Sequence, residues 1–414
     1  MTNSIEIRWA TPDDAEALAS VDHRAFRIGR DESTWVSYFR EHPGVAKGET
    51  VMALSRGRHV GDATALALEM AVCGRDLPVR GVAAVGVPPE HRRQGVADAM
   101  MRALLERARE KGVAFSLLHA FRMSYYARFG YGLCERWDDL RVRPSQLPAS
   151  RWRSQVEPAP WAEHEAEVRA VYERSRAGTT GPLRRDDYWW RERVMRPGTA
   201  VMAWRAPESG AMEGYLLYTV PPEPAYPSQH FVARELVALT PRAREGLVGA
   251  LEALGEQYAL VKLALPAGGA ARVVRDFGLA DASPAQGDVD VLALSAAGCM
   301  GRVVDLPAAL SAHPLAAMSG VRARFGLDLV DPLREKPERY DVEVDDGGIR
   351  AVGEARATER VTLRVDRFAQ LYFRAASAVE LYSEGAMEGS FASAMALDRA
   401  LQGPAMFCGF KNAF

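Results

Sequence analysis

The stretch from Gly81 to Gly132 constrains this chain more than any other. It opens with an apolar run, Val82-Ala83-Ala84-Val85-Gly86-Val87, in which nothing polar alternates, so it reads as a buried strand. Pro88-Pro89 ends the run, because proline brings no N–H to a sheet ladder. A short basic turn follows, His91-Arg92-Arg93-Gln94-Gly95-Val96-Ala97. Val96, Ala99, Met100, Ala103 and Leu104 then recur at the spacing of one helical face, and Gly112 stands where a C-terminal cap belongs. The next apolar run, Val113–Leu118, reads as a further parallel strand.

A strand, a basic turn and a helix make an anion-binding arrangement. Free N–H groups at a helix N-terminus carry partial positive charge and point out of its end. Gly95 lets a phosphate approach the backbone, Ala97 keeps the first turn open, and Arg92 and Arg93 add fixed charge. The spacing Arg92-x-x-Gly95-x-Ala97 recurs by chance in many chains. Its position between this strand and this helix is what points to a phosphate ligand, and the alternative is a solvated basic turn.

At 414 residues the chain exceeds one ordinary core, so two or three domains are expected. The hydrophobic share of 48% and charged share of 26% fit a soluble globular protein, and a net charge of −2 gives no reason to expect nucleic acid. The first residues, Met1-Thr2-Asn3-Ser4-Ile5-Glu6, lack a secretory pattern, and no apolar run approaches the ~20 residues of a membrane span. A cytoplasmic protein without a membrane partner is expected. Cys73, Cys134, Cys299 and Cys408 lie far apart, and the histidines form no His-x-x-x-His pair. Reduced thiols and no metal are expected.

Residues 1–150 read as one α/β unit. Ile5–Trp9 alternates like a strand, and Thr11-Pro12-Asp13-Asp14 starts a helix over roughly 12–27. A second helical piece surrounds Ser33–Phe39, with Trp35 and Phe39 on one face. Strands are expected near 50–55, 60–72 and 79–87. Residues 151–290 repeat the layout, with a helix over 162–176, a strand over 231–239 and a helix from Pro241 to about Gln257, but without the Arg-x-x-Gly-x-Ala turn. Residues 291–414 form a third unit. It has a helix over 304–313, a hairpin turning at Asp345-Asp346-Gly347-Gly348, a strand over 361–365 and a helix over 366–376.

The turn resembles the pyrophosphate loop of the GNAT acetyltransferases. Some 30 residues later, Tyr126-x-Arg128-Phe129-Gly130-Tyr131-Gly132 resembles the enhanced intracellular survival (Eis) branch of that superfamily, and the order of elements agrees over essentially the whole chain. The resemblance implies an α/β (α+β) chain of two tandem GNAT-like domains, the second degenerate, followed by a C-terminal sterol-carrier-protein-like α/β domain. It implies acetyl-CoA as co-substrate and direct N-acetylation of an amine, with large homo-oligomers, hexamers in the best-known cases. Tyr126 would protonate the leaving thiolate, with Tyr125 the neighbour it could be confused with. The backbone of Val85, Gly86 and Val87 would pair with the pantetheine arm. Arg92, Arg93, Gln94, Gly95, Val96, Ala97 and Asp98 would hold the pyrophosphate, and Phe121 and Arg122 would border the thiol end.

No acid in residues 1–150 stands out as a base. The resemblance implies that the C-terminal carboxylate returns to the first domain, so Phe414 would take that role here. Trp35 and Phe39 fit either core or the wall of an acceptor cleft, and the fold favours the wall. The acceptor stays open among aminoglycoside-like polyamines, small amines, peptides and lysine side chains. Relatives that acetylate aminoglycosides carry an acid where Ala413 stands and an aromatic residue where Ala84 stands, while Asp31 and Glu32 leave some negative charge near Trp35. The alternative from another class is a non-catalytic acyl-CoA or lipid carrier.

Overall fold

The computed structural model describes residues 5–26, 31–220, 229–275, 293–314, 318–353 and 356–414. Antiparallel pairing carries the chain through Ile5–Trp9, Thr50–Ser55, Arg58–Val72 and Arg75–Gly86. Helix Val96–Glu110 then crosses over, and Phe115–His119 runs parallel to Arg75–Gly86. The helix buries Val96, Met100, Leu104 and Ala108 and ends on Gly112 at φ +61°, as its apolar spacing predicts.

Two irregularities interrupt this sheet at one place. The parallel strands last pair at Val82 and Leu118, and beyond that point they part. Just past it the pairing with Arg58–Val72 slips, Asp62 facing Gly86 and Thr64 facing Ala83, and Ala84 adopts φ +49°. That is a bulge, which re-aims the strand's last residues.

The expected units interlock. Strand Cys299–Val303 inserts into the first sheet, between Phe115–His119 and Gly132–Leu133. Strand Arg136–Val142, inside the expected first unit, lies instead in the second sheet, between Leu260–Pro266 and Leu294–Ala297. The expected boundary at 290/291 lies outside the described residues, as do Met1–Ser4.

The second sheet repeats the motif, with strand His230–Ala238, helix Pro241–Glu252 and parallel strand Leu260–Pro266. Thr240 caps this helix, accepting from the Ala243 N–H at 3.3 Å. The third sheet has five strands, and its expected hairpin turns where Asp345 accepts from the Gly347 N–H at 2.7 Å. One core joins the units: Phe115 of the first sheet packs against Tyr372 and Phe373, at the end of helix Val365–Tyr372 in the third unit, with ring centroids 4.6 and 4.7 Å apart.

Trp35 and Phe39 do not wall a cleft. Both are buried among Ala10, Leu18, Val45 and Met52, where helices Ala15–Phe26 and Glu32–Glu41 close over the Thr50–Ser55 strand. Burying two aromatic rings there returns more free energy than a solvent-facing wall would, at ~25 cal/mol per Å².

Candidate active site

A cleft of about 770 Å³ opens where the first sheet parts, lined by Val85, Val87, Arg93, Gly95, Phe121 and Arg122 among others. Gly95 caps helix Val96–Glu110 at φ +82°, and a Cβ there would meet nothing within 4 Å. The first helical N–H groups, those of Val96, Ala97 and Asp98, have no intrahelical partner and face this mouth. Arg93, at φ +61°, is exposed beside them. Arg92 is spent differently: its guanidinium donates to the Val87 carbonyl at 3.0 Å and the Ala25 carbonyl at 3.1 Å, which ties the strand's end to the end of helix Ala15–Phe26.

Of the residues expected to meet a cofactor, Gly86 and Gln94 do not line the cleft. A Cβ on Gly86 would sit 2.5 Å from Asp22 Oδ1, so its small size makes room for helix Ala15–Phe26. Gln94 turns away and donates to the Glu90 carbonyl at 3.0 Å. Ala25, Phe26, His91, Tyr125 and Arg128 also line the cleft and were missed. Arg128 lies over the Tyr125 ring at 4.4 Å and belongs to the Tyr126–Gly132 motif, a signal that could have been read. The approach of Ala25 and Phe26 depends on tertiary packing, and no local pattern announces it.

Tyr126 sits on the short helix Met123–Ala127 and is 5% exposed. Its neighbour Tyr125 lines the cleft, and their rings meet edge to face at 5.0 Å. Burial pushes the Tyr126 phenol well above its ordinary pKa, so it is protonated at neutral pH. The motif is braced from two sides. Tyr131 shares a 2.6 Å hydrogen bond with Ser116 on the neighbouring strand. Arg302 donates to the Phe129 carbonyl and pairs with Asp331 of the third unit at 2.5 Å, both partners buried.

The chain's last residues return to this place. The Phe414 ring lies edge-on to His119, centroids 5.1 Å apart, and two of its carbons are 2.9 Å from where a Gly81 Cβ would be. Gly81 and His119 flank the point where the strands part. His119 was missed by sequence reasoning, although a polar residue closing an apolar run is a legible signal. Its Nε2 is buried with no hydrogen-bond partner, and burial lowers its pKa to about 4, so the ring is neutral.

Before reaching Phe414 the tail is held at several points. Glu135 accepts from the Cys408 N–H at 2.7 Å, the Gly409 N–H at 3.2 Å and the Cys299 N–H at 2.9 Å. The Lys411 ammonium donates to the Val194 carbonyl at 2.7 Å, and the Trp189 indole to the Lys411 carbonyl at 3.0 Å. Asn412 Oδ1 accepts from Arg185 Nε at 2.9 Å and from the Tyr172 hydroxyl at 3.1 Å.

Three domain models match the chain: an acetyltransferase (GNAT) domain over residues 6–134, a second acetyltransferase (GNAT) domain over 181–274, and a sterol carrier protein domain over 306–409. Two GNAT domains followed by a sterol carrier protein domain define an acetyltransferase. A Streptomyces griseus protein described as an uncharacterized N-acetyltransferase is 26% identical over 94% of this chain and 95% of its own. The N-acetyltransferase Eis of Mycobacterium bovis is 35% identical over 39% of this chain and 42% of its own. Among solved structures, Eis1 from Mycobacterium abscessus superposes with a TM-score of 0.77 at 21% identity, covering 99% of this chain and all of that one. Over about two fifths of its length the chain is thus similar to an N-acetyltransferase Eis, and its fold is that of Eis1.

Proposed function

We propose that the chain is an acetyl-CoA-dependent N-acetyltransferase that moves an acetyl group directly from the thioester to an amine. The observation that carries this reading is the cleft where the first sheet parts: the capped helix N-terminus opens on it, Tyr125 and Arg128 of the motif around Tyr126 line it, and the tail brings the Phe414 ring to His119 beside the point of parting. The residues present suit acetyl-CoA. The helix N-terminus and Arg93 offer donors and charge to a pyrophosphate, and the bulged strand end at Val85 and Val87 offers backbone to a pantetheine amide. Phe121, 78% exposed at the mouth, offers an apolar face beside the thiol end. Acetyl-CoA supplies the activated acyl group.

The chain's own groups manage the protons. An attacking amine must shed one, and the Phe414 α-carboxylate accepts it, with the Phe414 ring against His119 anchoring the end of the chain. The departing thiolate needs one, and the Tyr126 phenol, protonated at neutral pH, donates it. The C–N bond forms as the C–S bond breaks, with no covalent enzyme intermediate.

Acceptor chemistry is the finer part of this reading, and it covers aminoglycoside-like polyamines, small amines and lysine side chains. Assembly into homo-oligomers, hexamers by family resemblance, belongs to it too and is read by light scattering. Thiol release from acetyl-CoA against a panel of such amines, wild type beside a chain lacking Phe414, tests the whole. Turnover that falls steeply on truncation while acetyl-CoA still binds supports the base, and the panel names the acceptor. An unchanged rate removes Phe414 from the mechanism. Binding without any turnover favours the carrier.

A further inference from the structure

The second sheet parts in the same way as the first. His230–Ala238 and Leu260–Pro266 last pair at Ala233 and Leu263, and both strands run on beyond that point. In the first unit this gap faces the ligand cleft. In the second, the parted segments and the tail residues Phe407, Cys408, Gly409, Lys411 and Asn412 line one cavity of about 350 Å³. A bonded chain links sheet to tail. Glu235, on the parted segment, takes both carboxylate oxygens to Arg185 Nη2 at 2.9 and 3.0 Å, and Arg185 Nε holds Asn412. The Arg185 side chain is fully buried and stacks on the Tyr172 ring at 3.7 Å.

We infer that the second, degenerate acetyltransferase domain acts as a clamp for the tail: Val194 and Trp189 hold Lys411, Arg185, braced by Glu235 on the parted segment, holds Asn412, and Arg185 and Asn412 are positioning residues for the Phe414 carboxylate. The inference rests on the terminal-carboxylate reading above. Asn412 stands two residues before Phe414, a reach of at most ~7 Å, so fixing its side chain confines the carboxylate. The clamp also accounts for the missing phosphate loop. A domain whose cleft takes up its own chain needs the splay and not the Arg-x-x-Gly-x-Ala turn.

The test is a double-mutant cycle on the full chain with Asn412→Ala and removal of Phe414, read as kcat and KM for acetyl-CoA. Asn412→Ala is expected to lower kcat ~10-fold or more, as loss of a charge-assisted hydrogen bond implies, with KM for acetyl-CoA within about twofold. In the chain lacking Phe414 the same substitution is expected to cost nothing further. Equal losses in both backgrounds, or an unchanged kcat, overturn the positioning role. Carboxypeptidase digestion gives a readout independent of turnover: Asn412→Ala and Lys411→Met should each speed removal of Phe414 several-fold, and equal rates overturn the clamp. A truncated chain with full activity sinks the terminal base instead, and the digestion rates then decide the clamp alone.

Discussion

Glu135 holds the tail against the inserted strand Cys299–Val303, and Glu135→Ala exposes how much they depend on it. The carboxylate is buried and accepts three backbone N–H groups, those of Cys299, Cys408 and Gly409. Alanine leaves all three donors without that acceptor, each costing ~1–3 kcal/mol. Against that stands the cost of burying the charge, visible in the upward shift of its pKa, of which desolvation is the largest cause and the three N–H bonds the opposing ones. The balance is a loss of ~3 kcal/mol or more. Urea unfolding followed by tryptophan fluorescence reads it as a midpoint lowered by roughly 1 M or more, given a slope of ~1–3 kcal/mol/M. Glu135→Gln keeps one oxygen for the tail but sets an NH2 against the Cys299 N–H, so its loss is smaller, ~1–2 kcal/mol. A loss below ~1 kcal/mol for alanine, or glutamine worse than alanine, refutes the reasoning.

Three other outcomes are expected. Gly81→Ala places a methyl 2.9 Å from the Phe414 ring and 2.5 Å from Leu68, so turnover falls about tenfold or more while acetyl-CoA binding, followed by calorimetry, is unchanged. The buried pair Asp22 and Asp62 is pushed up, Asp22 by burial first and then by the Asp62 charge, and Asp62 by burial first. Folded pKa values above the unfolded ones mean stability is present at low pH and is lost as pH rises above the ordinary carboxylate value of ~4. Asp22→Asn should therefore raise the melting temperature more at pH 8 than at pH 5, and an equal gain at both rejects the shift. Arg93→Ala should weaken acetyl-CoA binding several-fold and flatten its dependence on salt, whereas identical salt slopes would leave Arg93 outside the site.

The sequence made the first sheet legible because its signals are local. The apolar run before Pro88, the helical spacing from Val96 and the cap at Gly112 need no tertiary knowledge, and all appear where expected. The same holds for the hairpin at Asp345 and for the lack of a phosphate loop before Pro241. The strand exchange was not legible, because Arg136–Val142 and Cys299–Val303 each have a strand's pattern and nothing local says which sheet each will join. Trp35 and Phe39 show the same limit, since two aromatic residues on one helical face suit a cleft or a core equally until the neighbours are known. The Asp22 and Asp62 pair gave no signal, as the two carboxyls lie 40 residues apart and meet only through packing.

The exchanged strands set an order of events during synthesis. Phe115–His119 and Gly132–Leu133 emerge from the ribosome early, yet the strand that separates them, Cys299–Val303, is made well over a hundred residues later. Until then the first sheet has an open seam beside its ligand cleft, with unpaired backbone on both sides. At ~5–20 residues per second that seam stays open for on the order of ten seconds or more. A nascent chain therefore passes through a long stage with a nearly complete first domain whose sheet is still open, and a chaperone or a neighbouring nascent chain has that interval in which to occupy the gap.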